Sequence, residues 1–414
     1  MEELKTYRLA DICNSIQTGP FGSQLHKSDY VEFGTPIVMP KDITNGKIND
    51  NNISRISKND VARLFKHKLV PGNIIYPRRG DISKCALITS KEDGWVCGTG
   101  CIKVDINQQI ANSTYVMYVL CQSETVNWIE SNAVGTTMLN LNTSILSDLP
   151  IKLPSLNTQK KLANIVSSFD KKIALNRRIN DNLEQQAQAL FKSWFVDFEP
   201  FKDGKFVDSE MGMIPEGWKV GKLEDIADVV GGGTPSKANA LYFDKQCIPW
   251  ITPKDLSIKK TKFISKGEID ITEEGYKNSS AKKIPLGSVL FSSRAPIGYI
   301  SIAENELTTN QGFKSVVPVK AGTSFLYLYL KANTKAIEAQ ATGSTFKEAS
   351  GSLMKSLCVI IPPDTVFDSF ERNAFPFFSA QANVEREIVN LSKARDTLLP
   401  RLMSGELKIN DLNC

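Results

Sequence analysis

Two histidines, His26 and His67, are all that 414 residues contain. Histidine-based nucleophilic or general-base catalysis therefore has few candidates, although Asp/Glu pairs stay open on sequence alone. Cysteine is present but unorganised: Cys13, Cys85, Cys97, Cys101, Cys121, Cys247, Cys358 and Cys414 follow no disulfide-framework spacing, which points to free thiols. Cys97 and Cys101 stand four apart with no second pair to complete a metal site, so no metal is expected and buried thiols are the better reading. No apolar run approaches the roughly 18 to 20 residues needed to cross a bilayer, and Met1-Glu2-Glu3-Leu4-Lys5 lacks the basic start and apolar stretch of a signal peptide. The expectation is a cytoplasmic protein with no membrane partner.

What is present is enough apolar side chain, 41% of the sequence, to give each of two to four domains a core. The chain also repeats itself. Leu9-Ala10-Asp11-Ile12 recurs as Leu223-Glu224-Asp225-Ile226, and Pro36 to Ile43 recurs as Pro249 to Leu256 with a shared Lys-Asp pair offset by 213. Pro71-Gly72-Asn73-Ile74-Ile75-Tyr76 and Arg79 return as Leu286-Gly287-Ser288-Val289-Leu290-Phe291 and Arg294, offset by 215. Gly135-Thr136-Thr137 and Leu149 to Pro154 return as Gly343-Ser344-Thr345 and Cys358 to Pro362, offset by 208. Five blocks in one order make a tandem duplication, and the drifting offset is what loop insertions leave.

Within each copy, β-branched and aromatic runs such as Asn73 to Tyr76 and Ser288 to Phe291 alternate with Gly, Pro, Asn and Asp, predicting a mainly β domain. A few helices join it, at Tyr115 to Leu120 and Phe325 to Leu330. After a proline the pattern changes. No Gly or Pro occurs from 159 to 195, and Leu162, Val166, Phe169, Ile173, Leu183, Ala187, Leu190 and Trp194 fall three and four apart, with Asn176 and Asn180 at the central seam positions. Phe377, Val384, Ile388, Leu391, Leu398 and Leu402 repeat the spacing in the second copy, interrupted by Gln381 and Arg395. Two such segments predict a coiled-coil pair, and a two-fold relation between the copies would make it antiparallel and hold the β domains apart. The competing arrangement packs each helix on its own β domain. The fold class is α+β, divided as 1–154, 155–200, 201–363 and 364–414.

The net charge of +5 is weak evidence for a polyanion partner. Seven basic against three acidic residues from Lys160 to Phe195 place most of the excess on one helix, where a solvated face explains the run equally well. Val229 to Lys237 is glycine-rich but lacks phosphate-loop spacing and is broken by Pro235, so a turn beside a strand is expected. Ile361-Pro362-Pro363-Asp364 lacks both the leading polar residue and the closing aromatic of an amino-methyltransferase signature. A binding module is favoured over an enzyme.

Ala189-Leu190-Phe191-Lys192-Ser193-Trp194-Phe195-Val196-Asp197-Phe198-Glu199-Pro200, Gly212-Met213-Ile214-Pro215-Glu216-Gly217-Trp218 and Leu398-Leu399-Pro400-Arg401-Leu402-Met403-Ser404-Gly405-Glu406, with the duplication, carry a further reading. The whole chain closely resembles the DNA specificity subunits of type I restriction-modification systems. That resemblance implies two target recognition domains, each reading half of a bipartite DNA site, and conserved antiparallel helices that bind two modification (methyltransferase) subunits. Restriction (translocase/nuclease) subunits would complete the assembly. S-adenosylmethionine, ATP and Mg are expected on those partners, none on this chain, which is expected to be non-catalytic. The copies differ where reading would occur: Thr18-Gly19-Pro20-Phe21-Gly22-Ser23 stands against Gly232-Gly233-Thr234-Pro235, and Tyr7 stands where the second copy has Ile214 to Trp218. Different loops imply different half-sites and an asymmetric target.

Candidate DNA contacts are polar residues near loops that recur between copies: Lys41, Arg78, Arg79 and Thr136 in the first, and Lys254, Ser292, Arg294, Gln311 and Lys347 in the second. Arg can grip guanine, and Gln adenine, through two hydrogen bonds, while Lys mostly neutralises phosphate. The alternatives are a coiled-coil scaffold whose β domains bind protein, and a self-contained nucleic-acid-modifying enzyme.

Overall fold

The computed structural model describes residues 4–44, 46–135, 139–294, 296–343 and 347–407. The chain divides into two compact units, Met1–Lys172 with Leu391–Cys414, and Ile173–Asn390.

In the first unit Lys5–Arg8 pairs antiparallel with Pro150–Leu153, tying the start of the first β domain to its end. A four-stranded sheet runs in the order Cys13–Thr18, Cys101–Ile106, Asn73–Pro77, Ala86–Leu87, and a second in the order Tyr30–Val31, Arg55–Ile56, Thr35–Val38, Val96–Cys97. Asn73–Pro77 is buried at every position, which is why Ile74, Ile75 and Tyr76 follow one another without polar alternation. The predicted helix is Ser113–Leu120, started by Asn112, whose side-chain oxygen accepts from Tyr115 N at 3.0 Å. Cys85, Cys97 and Cys101 are buried apolar side chains of these layers.

The second unit repeats this plan. Lys219–Lys222 pairs with Cys358–Ile361. A five-stranded sheet follows the order Ala227–Gly231, Lys314–Pro318, Val289–Phe291, Ile300–Ala303, Phe263–Ile264, and a four-stranded one Phe243–Asp244, Asp270–Ile271, Ile248–Ile251, Thr308–Thr309. The predicted helix here is longer, Thr323–Gln340.

The duplication is visible bond by bond. Leu9 N donates to Leu149 O at 2.8 Å and Leu223 N to Leu357 O at 2.9 Å. Gly98 N donates to Val38 O, and Asn310 N to Ile251 O, both at 2.9 Å.

The central helix, Leu156–Phe195, and the distal helix, Asp364–Met403, have 40 residues each and so run about 60 Å. Each is divided between the units, and in each unit the two helices are antiparallel. In the first, Asp170 meets Arg395 at 2.7 Å, and Leu162, Ala163 and Val166 share a core with Leu402 and Met403. In the second, Asn176 Nδ2 donates to Glu387 Oε2 at 2.8 Å and Gln381 Nε2 to Asn180 O at 3.3 Å, while Phe195 packs on Phe370 at a centroid distance of 4.9 Å. Of the predicted seam, Leu162, Val166, Ile173 and Asn176 are buried, and Phe169, Asn180, Leu183, Leu190, Val384, Ile388, Leu391 and Leu398 are half-buried. Both expected packing modes coexist, because the same helices pair with each other and close the β-domain cores. The interrupting Gln381 and Arg395 are, with Asn176 and Glu387, among the polar links between helices.

The distal helix runs through Pro376, although an interior proline costs about 3 kcal/mol or more. Buried Phe367, Phe370, Ala374 and Phe378 on its core-facing side offset that cost.

Candidate nucleic-acid interface

In both copies the repeated Lys-Asp pair lies in the opening turn of a short helix, Pro40–Asp42 or Pro253–Lys259, and its acid is structural. Buried Asp42 accepts from Met39 N at 2.9 Å, and buried Asp255 from Thr252 N at 2.8 Å and Thr252 Oγ1 at 2.6 Å. With the carboxylates turned inward, Lys41 and Lys254 are left exposed.

Adjacent to this turn lies a second, made by Gly98-Thr99-Gly100 and by Asn310-Gln311-Gly312. A Cβ on Gly100 would touch Pro40 Cγ at 3.3 Å, and one on Gly312 would touch Pro253 Cγ at 3.1 Å. The glycine loop packs on its other side: a Cβ on Gly19 would fall 2.0 Å from Gly98 O, and one on Gly232 2.0 Å from Asn310 O. Backbone contact this close admits only glycine. The glycine-rich stretch is thus a turn beside a strand, as its spacing implied. Thr234 Oγ1 donates to the side-chain Oε1 of Gln311 across the gap.

The strand-exit arginines complete the cluster. Arg78 N donates to Gly100 O at 2.6 Å and Arg78 O accepts from Leu141 N at 2.9 Å; Ser293 N and O make the same bonds to Gly312 and Ala349, at 2.7 and 2.9 Å. Arg79 then bridges Asn140, and Arg294 bridges Glu348, while Val134 and Thr342 bridge the same two residues and close the base of the intervening loop. Four turns, distant in sequence, therefore meet at one end of each domain and carry Lys41, Arg78 and Arg79 in one copy and Lys254, Arg294, Gln311 and Lys347 in the other. Thr136 lies outside the described residues.

Ser292 is a correction to the sequence expectation. It is fully buried, its hydroxyl donating to Pro296 O and accepting from Tyr299 N, both at 2.8 Å. A side chain so enclosed shapes the strand exit and does not reach DNA. What the pattern missed is the residue opposite each arginine. Asn140 and Glu348 are related by the offset of 208 that relates the neighbouring loops, and that signal would have found them.

The two sites differ in charge. Glu348 receives Lys314 at 3.0 Å and Arg294 at 3.8 Å, whereas Arg79 faces the neutral Asn140. Lys254 pairs with Glu268 at 2.7 Å, but both side chains are over 60% exposed, so the pair is weak and open to exchange for phosphate. Arg78 keeps its Nε buried with no hydrogen-bond partner. Among the described residues no group of three His, Cys, Asp or Glu side chains is arranged to hold a metal ion.

A family profile for the type I restriction modification DNA specificity domain matches residues 1–185 and 215–366. The chain belongs to this family. The family's domain thus occurs twice, once on each copy. The specificity subunit of the type I restriction enzyme HindI of Haemophilus influenzae is 26% identical over 472 residues, covering 98% of this chain and 100% of that protein. The MjaIX specificity subunit of Methanocaldococcus jannaschii is 44% identical over 162 residues, 38% of this chain and 37% of that one. In fold the chain is similar to the crystal structure of a type I restriction-modification S subunit from M. genitalium, with a TM-score of 0.65 and 16% identity over 97% of this chain and 96% of that one. No described helix is long and apolar enough to cross a membrane.

Proposed function

We propose that this chain is a non-catalytic specificity subunit that reads a bipartite, asymmetric DNA target and directs modification and restriction subunits to it. The observation that carries the reading is one framework of four converging turns built twice, with a shared Lys-Asp turn and strand-exit arginine but different neighbours. Arg78, Thr99 and Asn140 in the first site stand where Ser293, Gln311 and Glu348 stand in the second. Shared cations suit the phosphate backbone, which is the same everywhere; differing neighbours suit base edges, which are not. Methyl transfer and cleavage would belong to the partners, with S-adenosylmethionine, ATP and Mg bound there, and the helices would be where two modification subunits dock.

The test is to incubate the chain with DNA and S-adenosylmethionine, with and without a modification subunit, and to sequence the modified bases. Methylation only in the joint reaction, at two unlike half-sites a fixed distance apart, is the expected result. Methyl transfer by the chain alone, or a palindromic site, would overturn the reading.

A further inference from the structure

Lys262 is a buried lysine whose partners come from both long helices. Its ammonium donates to Glu184 Oε2 on the central helix at 2.9 Å and to Gln381 Oε1 on the distal helix at 2.7 Å. It lies over the rings of Phe378 at 3.3 Å and Tyr327 at 4.2 Å. The backbone N–H groups of Lys262 and Phe263 donate to the carboxylate of Glu385 at 2.9 and 3.2 Å. Lys331, on Thr323–Gln340, meets Glu184 Oε1 at 2.7 Å. The second recognition domain thus brings two cations to its seat, and the helix pair brings two carboxylates. Burial opposes the charge on Glu184, yet Lys262 and Lys331 hold its carboxyl down at about 2; burial lowers the Lys262 ammonium to about 8 despite Glu184.

The first domain is built differently at the same point. Ile302 N donates to Lys262 O at 2.7 Å, and Leu87 N to Gly46 O at 3.3 Å, where Ile302 and Leu87 are related by the repeat offset of 215. Gly46 therefore stands in the place of Lys262. Gly322 and Asn112, each accepting the first intrahelical bond, align the two short helices and put Met117 in the place of Tyr327 and Cys121 in the place of Lys331. Along the long helices the offset of 208 puts Ser392 in the place of Glu184, Arg177 in that of Glu385, Ile173 in that of Gln381 and Asp170 in that of Phe378. Asp170 is already engaged, accepting from Arg395 at 2.7 Å and from Tyr118 Oη at 2.5 Å.

We infer that the two recognition domains are keyed by charge to their own seats on the helices, so that the second domain is not accepted in the first position. Moved there, Lys262 and Lys331 would meet sequence counterparts offering one carboxylate, already paired with Arg395, together with Arg177. An uncompensated buried charge is among the most destabilising changes a core can suffer. The inference concerns seating and holds whether or not the domains read DNA.

The experiment compares one pair of substitutions in two places in the full-length chain, by thermal unfolding and soluble yield. Lys262→Met with Lys331→Met in the native second domain should lower Tm by roughly 10 °C, since Glu184 and Glu385 lose their cations. A chimera with residues 1–154 replaced by a second copy of 215–362 should unfold at lower temperature, or yield less soluble protein, than the parent. The same two substitutions confined to the transplanted copy should raise its Tm or recover its yield. Opposite signs in the two places support charge keying, because simple loss of packing would act in one direction. Equal signs, no effect in either place, or a chimera that stays insoluble with and without the substitutions, would overturn it. DNA binding enters none of these measurements, so failure here and failure of the proposed function are separately visible.

Discussion

Arg79 and Arg294 leave their strands at equivalent points, and the residues opposite them differ by one charge. Arg79 faces Asn140, whereas Arg294 shares Glu348 with Lys314. Arg79→Ala should cost about 1 to 3 kcal/mol of specific binding and relax one position of one half-site, measured by competition over randomised half-sites. Uniform weakening with a shallower salt slope would place the side chain on phosphate instead. Glu348→Gln should strengthen binding at the second half-site and steepen its salt dependence, because Arg294 and Lys314 are then released to the DNA. For Glu184 the sign follows from linkage. A carboxyl at about 2 when folded and near its ordinary value when unfolded gives stability that is full above about pH 4.5 and lost as pH falls toward 2, on the order of 3 kcal/mol. Glu184→Gln should therefore lower the denaturation midpoint at pH 7 and flatten its decline between pH 4.5 and 2. Lys262, lowered to about 8, costs stability at neutral pH, and that cost is relieved as pH rises from about 8 to its ordinary range near 10.5, a slope of the same sign in a second window.

At the scale of elements, the two long helices were legible because a buried stripe must recur every three or four residues. What their sequences concealed is the partner of each polar interruption. Gln381 and Arg395 look like defects in an apolar seam, yet one meets Glu184 and Lys262 and the other Asp170; pairing across helices is set by register, which a single-strand pattern does not contain. The strands beneath each site were legible from Asn73 to Tyr76 and Ser288 to Phe291, but Ser292 was misplaced because a hydroxyl just beyond a strand reads the same whether it faces water or bonds its own turn. The observed pairing makes a length test possible. Asn176 meets Glu387, so seven residues inserted after Arg177 and seven after Glu385 enter at facing positions and preserve the three/four register. They add about 10 Å at 1.5 Å per residue, or about three base pairs. Methylation across a library of spacer lengths should show the optimum lengthened by about three, with weaker binding at that optimum because the DNA also turns by roughly 100°. A folded variant that keeps the parental optimum would show that the helices do not measure the distance.

For the whole molecule, repetition of one domain predicts independent readers. Replacing residues 1–154 with the matching domain from another member of the family should change one half-site and leave the other, as sequencing of methylated bases would show; a change in both would mean that the sites are coupled. Duplication and fold class could be read from the chain, as could the recurring Lys-Asp and strand-exit Arg positions that the fold brings together. The exchange of core residues between its two ends could not, because it joins segments that share no local pattern. Leu402 and Met403 lie in the same core as Leu162, Ala163 and Val166, about 240 residues earlier. At the 5 to 20 residues per second of ribosomal synthesis, the first domain waits roughly 10 to 50 s for its last wall. During that interval its apolar floor stands open while the second domain is still being made. Manufacture therefore sets an order of completion opposite to the order of the sequence: the unit begun first is closed last, and a message cut short near its end would yield a second reader with its core in place and a first reader lacking the Leu402 and Met403 side of its own.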